Sequence, residues 1–96
     1  MAEEKLLSYK GRPLARKGND LYLGNPEDPI VLYLQIVESE KRDGQDMATR
    51  VQVMLLSTDP NLSMKERILR MTERNSLYTA LDIGSIWLER ALQEIH

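Results

Sequence analysis

Ninety-six residues make room for one domain, since independent cores need ~50–200 residues each, so residues 1–96 are read as a single compact unit. A hydrophobic share of 42%, a charged share of 29% and a mean hydropathy of -0.44 exclude a disordered tract or a fibre. The absence of cysteine excludes a disulfide framework, a thiol nucleophile and a thiolate metal site, and no apolar run approaches the ~20 residues of a membrane helix; a cytoplasmic location is the expectation.

The formal charge of -2 is a cancellation. Residues 5–19 carry Lys5, Lys10, Arg12, Arg16 and Lys17 and no acid, whereas residues 20–62 hold 3 basic against 8 acidic side chains. Pairing of the two segments across a sheet is one reading of this layout, and a small anion or nucleic-acid footprint is the other.

Glycine and proline punctuate the first two-thirds of the chain and almost vanish afterwards, which predicts short strands followed by helices. Leu6 to Lys10, Leu14 to Lys17 and Leu21 to Leu23 read as short strands. Gly18-Asn19-Asp20 supplies the hairpin turn between the last two. The segment Asn25-Pro26-Glu27-Asp28-Pro29 is a loop, because its prolines lack donors and fix φ. Ile30 to Ser39 is the clearest strand, with Ile30, Leu32, Leu34 and Ile36 on one face, and Thr49 to Ser57 returns beside it with Val51, Val53 and Leu55 inward.

Ser63-Met64-Lys65-Glu66 is a capping box that predicts a helix start. A stripe of Met64, Ile68 and Met71 extends that first helix over residues 63–74, and Asn75-Ser76 breaks it. A second, long helix over residues 77–95 presents Leu77, Ala80, Leu81, Gly84, Trp87, Leu88, Ala91, Leu92 and Ile95 on one face; Gly84 within it signals close approach to the sheet. The expected fold class is α+β: an antiparallel β-meander of about four strands, then a short helix and a long C-terminal helix packed on one sheet face.

Nothing in the chain assembles a catalytic, metal or cofactor constellation, and a non-enzymatic role without cofactor or small-molecule substrate is expected. The one histidine, His96, is the last residue and too near a chain end to hold a base in place. Glu38, Glu40, Asp43 and Asp46 cluster around Gly44 but do not follow the spacing of a calcium loop, and no phosphate-cradling glycine pattern occurs.

Three features remain. On the outer face of the long strands Val31, Tyr33 and Val37 alternate with the core set, Met54 and Leu56 do so on the partner strand, and Tyr22 lies nearby; an apolar patch of this kind calls for a cover. That cover is the first helix, a second copy of the chain or a protein partner. Ile86 projects opposite the apolar face of the long helix and adds to the case for self-association, with a homodimer as the expected assembly. The third feature is the basic segment, where Tyr9 accompanies Lys10, Arg12, Arg16 and Lys17, supported by Arg67, Arg70 and Arg74 along the first helix. Against nucleic-acid binding stand a pI near 5.4 and the neutralising Glu66 and Glu73. The leading expectation is a self-associating protein–protein interaction module, and the alternative is a small nucleic-acid-binding protein.

Overall fold

The computed structural model describes residues 5–94. Ile95, read from the sequence as the end of the long helix, and His96 lie outside that range. In chain order the elements are β1 (Lys5–Tyr9), β2 (Arg12–Lys17), β3 (Asp20–Leu23), β4 (Ile30–Arg42), β5 (Gln45–Ser57), α1 (Met64–Arg67), β6 (Ile68–Arg74) and α2 (Leu77–Glu94). The six strands form one antiparallel meander in sequence order, β1-β2-β3-β4-β5-β6, and α2 packs on one face of it. The fold is α+β as expected, with more strands than the four predicted.

Turn chemistry explains the tight connections. At both Lys10-Gly11 and Asp43-Gly44 two consecutive residues have positive φ, 51° and 77° in the first turn and 52° and 78° in the second. Two such residues in a row match the right-handed twist of the strands they join, and glycine adopts the second position without steric cost. Between β3 and β4 the proline-bounded loop closes on itself through Asp28 N–H to Asn25 O, 3.0 Å, and is tied to the end of β5 by Thr58 Oγ1 donating to Asp28 O at 2.7 Å.

The alternation read from the sequence sets the core. Leu14, Leu21, Leu23, Ile30, Leu32, Leu34, Ile36, Val51, Val53 and Leu55 form the buried face of the sheet, and Ala80, Leu81, Trp87 and Leu88 of α2 close over it. The register places Leu21 opposite Leu34, Leu23 opposite Leu32 and Leu34 opposite Val53, so one slip would turn the whole set to solvent. Gly84 is where the helix comes nearest: a Cβ built there overlaps Leu32 Cδ2 and sits 3.0 Å from Cδ1. Ser76 caps α2, its Oγ accepting from Thr79 N–H at 3.2 Å. At the other side of the helix Lys10 Nζ reaches Asp82 Oδ1 at 3.0 Å, pinning the β1–β2 turn against α2. That carboxylate holds the Lys10 ammonium above its ordinary pKa.

The first helix is corrected by the structure. The capping box forms as predicted, Ser63 Oγ accepting from Glu66 N–H and Glu66 Oε1 from Ser63 N–H, yet the helix lasts only from Met64 to Arg67. Residues 68–74 are the sixth strand. Their local propensity allows a helix, since Leu, Arg, Met and Glu are all good formers. Tertiary pairing overrides it, because without β6 the core-forming half of β5, Val51 to Leu56, would present a row of unpaired N–H and C=O groups along its edge. Arg70 then lies on the helix side, its guanidinium 4.4 Å from the centre of the Trp87 ring, shielding the end of the core.

β4 and β5 are each 13 residues long and outrun their neighbours, because β3 pairs only as far as Gln35 and β6 only as far as Val51. The remainder, Glu38 to Arg50, is a two-stranded arm that gives the molecule a 46 Å long dimension against 27 and 26 Å. A register irregularity between Ile36 and Ser39 marks where the arm leaves the sheet.

Candidate interaction surface

The face of the sheet opposite α2 is organised in rows. Antiparallel pairing places Ala15 opposite Tyr22, Tyr22 opposite Tyr33, Tyr33 opposite Met54 and Met54 opposite Met71, an apolar row across five strands, β2 to β6. Beside it runs a second apolar row of Val31, Leu56 and Ile68, continued toward β2 by Gly24 and Pro13, whose backbones bond at 2.9 Å. On the other side lies a polar row, Lys17, Asp20, Gln35, Gln52 and Glu73. Among the described residues no helix or strand lies over these rows: α2 is on the other face and α1 buries none of its side chains.

The sequence-predicted interface residues divide accordingly. Tyr22, Val31, Tyr33, Met54 and Leu56 come together on this face. Tyr22 is 47% exposed, Val31, Tyr33 and Leu56 are half-buried, and Met54 is only 9% exposed in its place between Tyr33 and Met71. Val37 is exposed but sits at the root of the arm, beyond the polar row. Ile86 is exposed on α2, so the helix layer separates it from the sheet face and it does not extend the patch. Met71 and Ile68, 55% and 36% exposed, do extend it. Assigning them to a helix hid them; the signal that reveals them is the two-residue alternation of Arg70, Thr72 and Arg74 against Met71 and Glu73. With the first helix reduced to one turn, the sheet gains a strand and the open face widens.

The face has internal relief and one anchored centre. On its β2–β3 side a hollow of ≈ 330 Å³ is lined by Pro13, Ala15, Tyr22, Gly24, Pro26, Val31 and Thr58. The rings of Tyr22 and Tyr33 stack with centroids 4.9 Å apart, and Tyr33 Oη donates to Asp20 Oδ1 at 2.7 Å. Burial, aided by that carboxylate, pushes the Tyr33 phenol well above the usual tyrosine pKa. A folded-state pKa raised above the unfolded ~10 contributes stability that is complete below pH ~10 and lost as pH rises beyond it. Tyr33→Phe is therefore expected to flatten the alkaline loss of stability, seen as a smaller drop in thermal midpoint between pH ~9 and ~11 than in the wild type; equal slopes would show that the phenol is not held this way.

The basic candidates are dispersed. Lys10 is engaged by Asp82, and Arg16 Nε donates to Gly18 O at 3.0 Å. The register sends Arg12, Leu14 and Arg16 to the helix side and Pro13, Ala15 and Lys17 to the other, so the four cations do not share a face. Arg67 donates to Leu62 O at 3.1 Å and Arg70 stacks on Trp87, which removes the arginine line expected along a helix. On the arm, Glu38 and Glu73 flank Arg50 at 2.7 and 2.9 Å and raise its pKa, and Glu40 meets Arg42. The described residues hold no group of three or more metal-ligating side chains, and no described helix is long and apolar enough to cross a membrane.

Fold and surface together define a class: a small α+β domain with one sheet face sealed by a helix and the other presenting ordered apolar rows. The chain matches no known family model, no curated protein and no solved structure with which it was compared.

Proposed function

We propose that the chain is a non-catalytic interaction module that self-associates through the outer face of its sheet. The observation that carries the reading is the pair of adjacent apolar rows crossing β2 to β6 with no described element above them. At strand spacings of ~4.8 Å and same-face residue spacings of ~6.7 Å the two rows cover on the order of 300 Å² in projection, before side-chain relief is added. A contiguous apolar patch of roughly 300 Å² or more is often a functional contact surface, and association of two such faces removes it from water at ~25 cal/mol per Å². The pairing is the aligned sheet-on-sheet contact of a β-sandwich, made between chains.

Sedimentation equilibrium tests this. The expected result is a dimer at tens of micromolar, with a thermal midpoint that rises with protein concentration; a monomer throughout the accessible range would overturn the reading.

A further inference from the structure

From the relief and charge of the outer face we infer that the second copy docks with its two-fold axis parallel to the strands and above β4, so that β2 of one chain faces β6 of the other. This rests on the self-association proposed above and specifies its geometry.

Two sheets meeting face to face admit two simple dyads in the plane between them. A dyad perpendicular to the strands lays each strand on its own copy and reverses the rows. Placed over the Tyr22–Tyr33 row it lays the Val31–Leu56–Ile68 row on the polar row, stranding Asp20, Gln35 and Gln52 against apolar side chains. Placed between the two apolar rows it sets the exposed Met71 and Ile68 of β6 against each other and hollow against hollow. A dyad parallel to the strands keeps every row on itself and exchanges the two edges. Apolar then meets apolar, and Gln35 meets its own copy.

The edge exchange also matches shape and charge. The hollow lined by Pro13 and Ala15 lies on the β2–β3 half of the face, and Met71, the most exposed side chain of the apolar rows at 55%, stands on β6. With the axis over β4, each chain's Met71 enters the other's hollow, twice per dimer, as an isologous interface requires. In the polar row Lys17 of β2 has no ion-pair partner among the described residues and meets Glu73 of the opposing β6. The groups around these two are accounted for: the β2–β3 hairpin carries Arg16, Lys17 and Asp20, one net positive charge, and Glu38, Arg50 and Glu73 carry one net negative. The ~30° crossing of aligned sheets is spanned by the length of the lysine and glutamate side chains.

Charge reversal with mixing decides it. Lys17→Glu and Glu73→Lys are each expected to weaken the homodimer about tenfold, since each reversal turns two attractive contacts into two repulsive ones. Mixed one to one, the two variants are expected to form heterodimer in excess of the statistical half, read by native mass spectrometry. As a second measurement that leaves Glu73 and its Arg50 contact in place, Gln35→Cys is expected to cross-link to its own copy with a short bis-maleimide, whereas Lys17→Cys is not, its two copies being ~20 Å apart across four strand spacings. A wild-type dimer whose reversal variants mix statistically and whose Gln35→Cys form fails to cross-link would overturn the dyad and leave self-association standing. A wild-type monomer would overturn both.

Discussion

Gly84→Ala is expected to destabilise the wild-type domain and to stabilise the Leu32→Ala variant. The added methyl overlaps Leu32 Cδ2 and stands 3.0 Å from Cδ1 and 3.2 Å from Cγ, and Leu32 is fully buried on β4. Overpacking of this kind costs about 1–3 kcal/mol, against ~1 kcal/mol gained by replacing a mid-helix glycine. Leu32→Ala by itself removes a fully buried side chain and is expected to cost about 2–5 kcal/mol, the upper part of that range arising from the cavity it leaves. In that background the methyl added at position 84 would point into the vacated space, so the helix-propensity gain survives and the clash disappears. The sign reversal is the diagnostic, measured as a double-mutant cycle from urea midpoints at constant slope. Additive effects would mean that α2 shifts away from β4 and that the close approach is not what retains glycine at position 84.

Such a contact is legible in the sequence to an unusual degree, because a glycine in the middle of a nine-residue apolar stripe has little other reason to be there. The same holds wherever one local rule and the burial pattern agree. The alternation of Ile30 to Ile36 against Val51 to Leu55 fixes the core face and the register of the central hairpin, and Asp43-Gly44 closes it with two positive φ values. The sequence reading fails at residues 68–74, where local propensity and long-range need disagree. A capping box reports only how a helix begins, and Ile68 to Arg74 carries no strong stop before Asn75; what decides its conformation is the unpaired edge of β5, a demand made by residues 51–56. The basic segment misleads for a related reason. Charges counted along the chain ignore the two-residue period of a strand, which sends Arg16 and Lys17 to opposite faces, and ignore the helix that brings Asp82 to Lys10. The outer face was legible in its central strands and invisible at β6, so its continuity across five strands appears only once the sheet is assembled.

Leu56→Lys is expected to abolish self-association while leaving the monomer folded. Leu56 lies in the second apolar row between Val31 and Ile68, is half-buried in the single chain, and on the outer face touches nothing of the α2-side core. In the monomer the lysine stem replaces the leucine along the sheet and the ammonium reaches water, a surface change of the class that alters stability by about 0.5 kcal/mol or less. In the dimer the same ammonium is enclosed against apolar side chains of both copies, and by symmetry the penalty is incurred in both copies. Even ~1.5–2 kcal/mol per buried ammonium, well under the cost of a fully desolvated charge, amounts to a loss of at least about a hundredfold in affinity. The expected observation is a sedimentation coefficient of a monomer at concentrations where the wild type is dimeric, with unchanged far-ultraviolet circular dichroism and a thermal midpoint no longer dependent on concentration. Val31→Thr serves as the control, keeping a β-branched side chain of similar shape and adding one hydroxyl without a charge, and is expected to weaken the dimer less, about tenfold, at ~0.5–1 kcal/mol per buried hydroxyl in each copy. If Leu56→Lys were as dimeric as the wild type, the outer face would not be the contact surface; if it unfolded, the half-buried leucine would belong to the monomer's own core, and the apolar rows would be structural in a single chain.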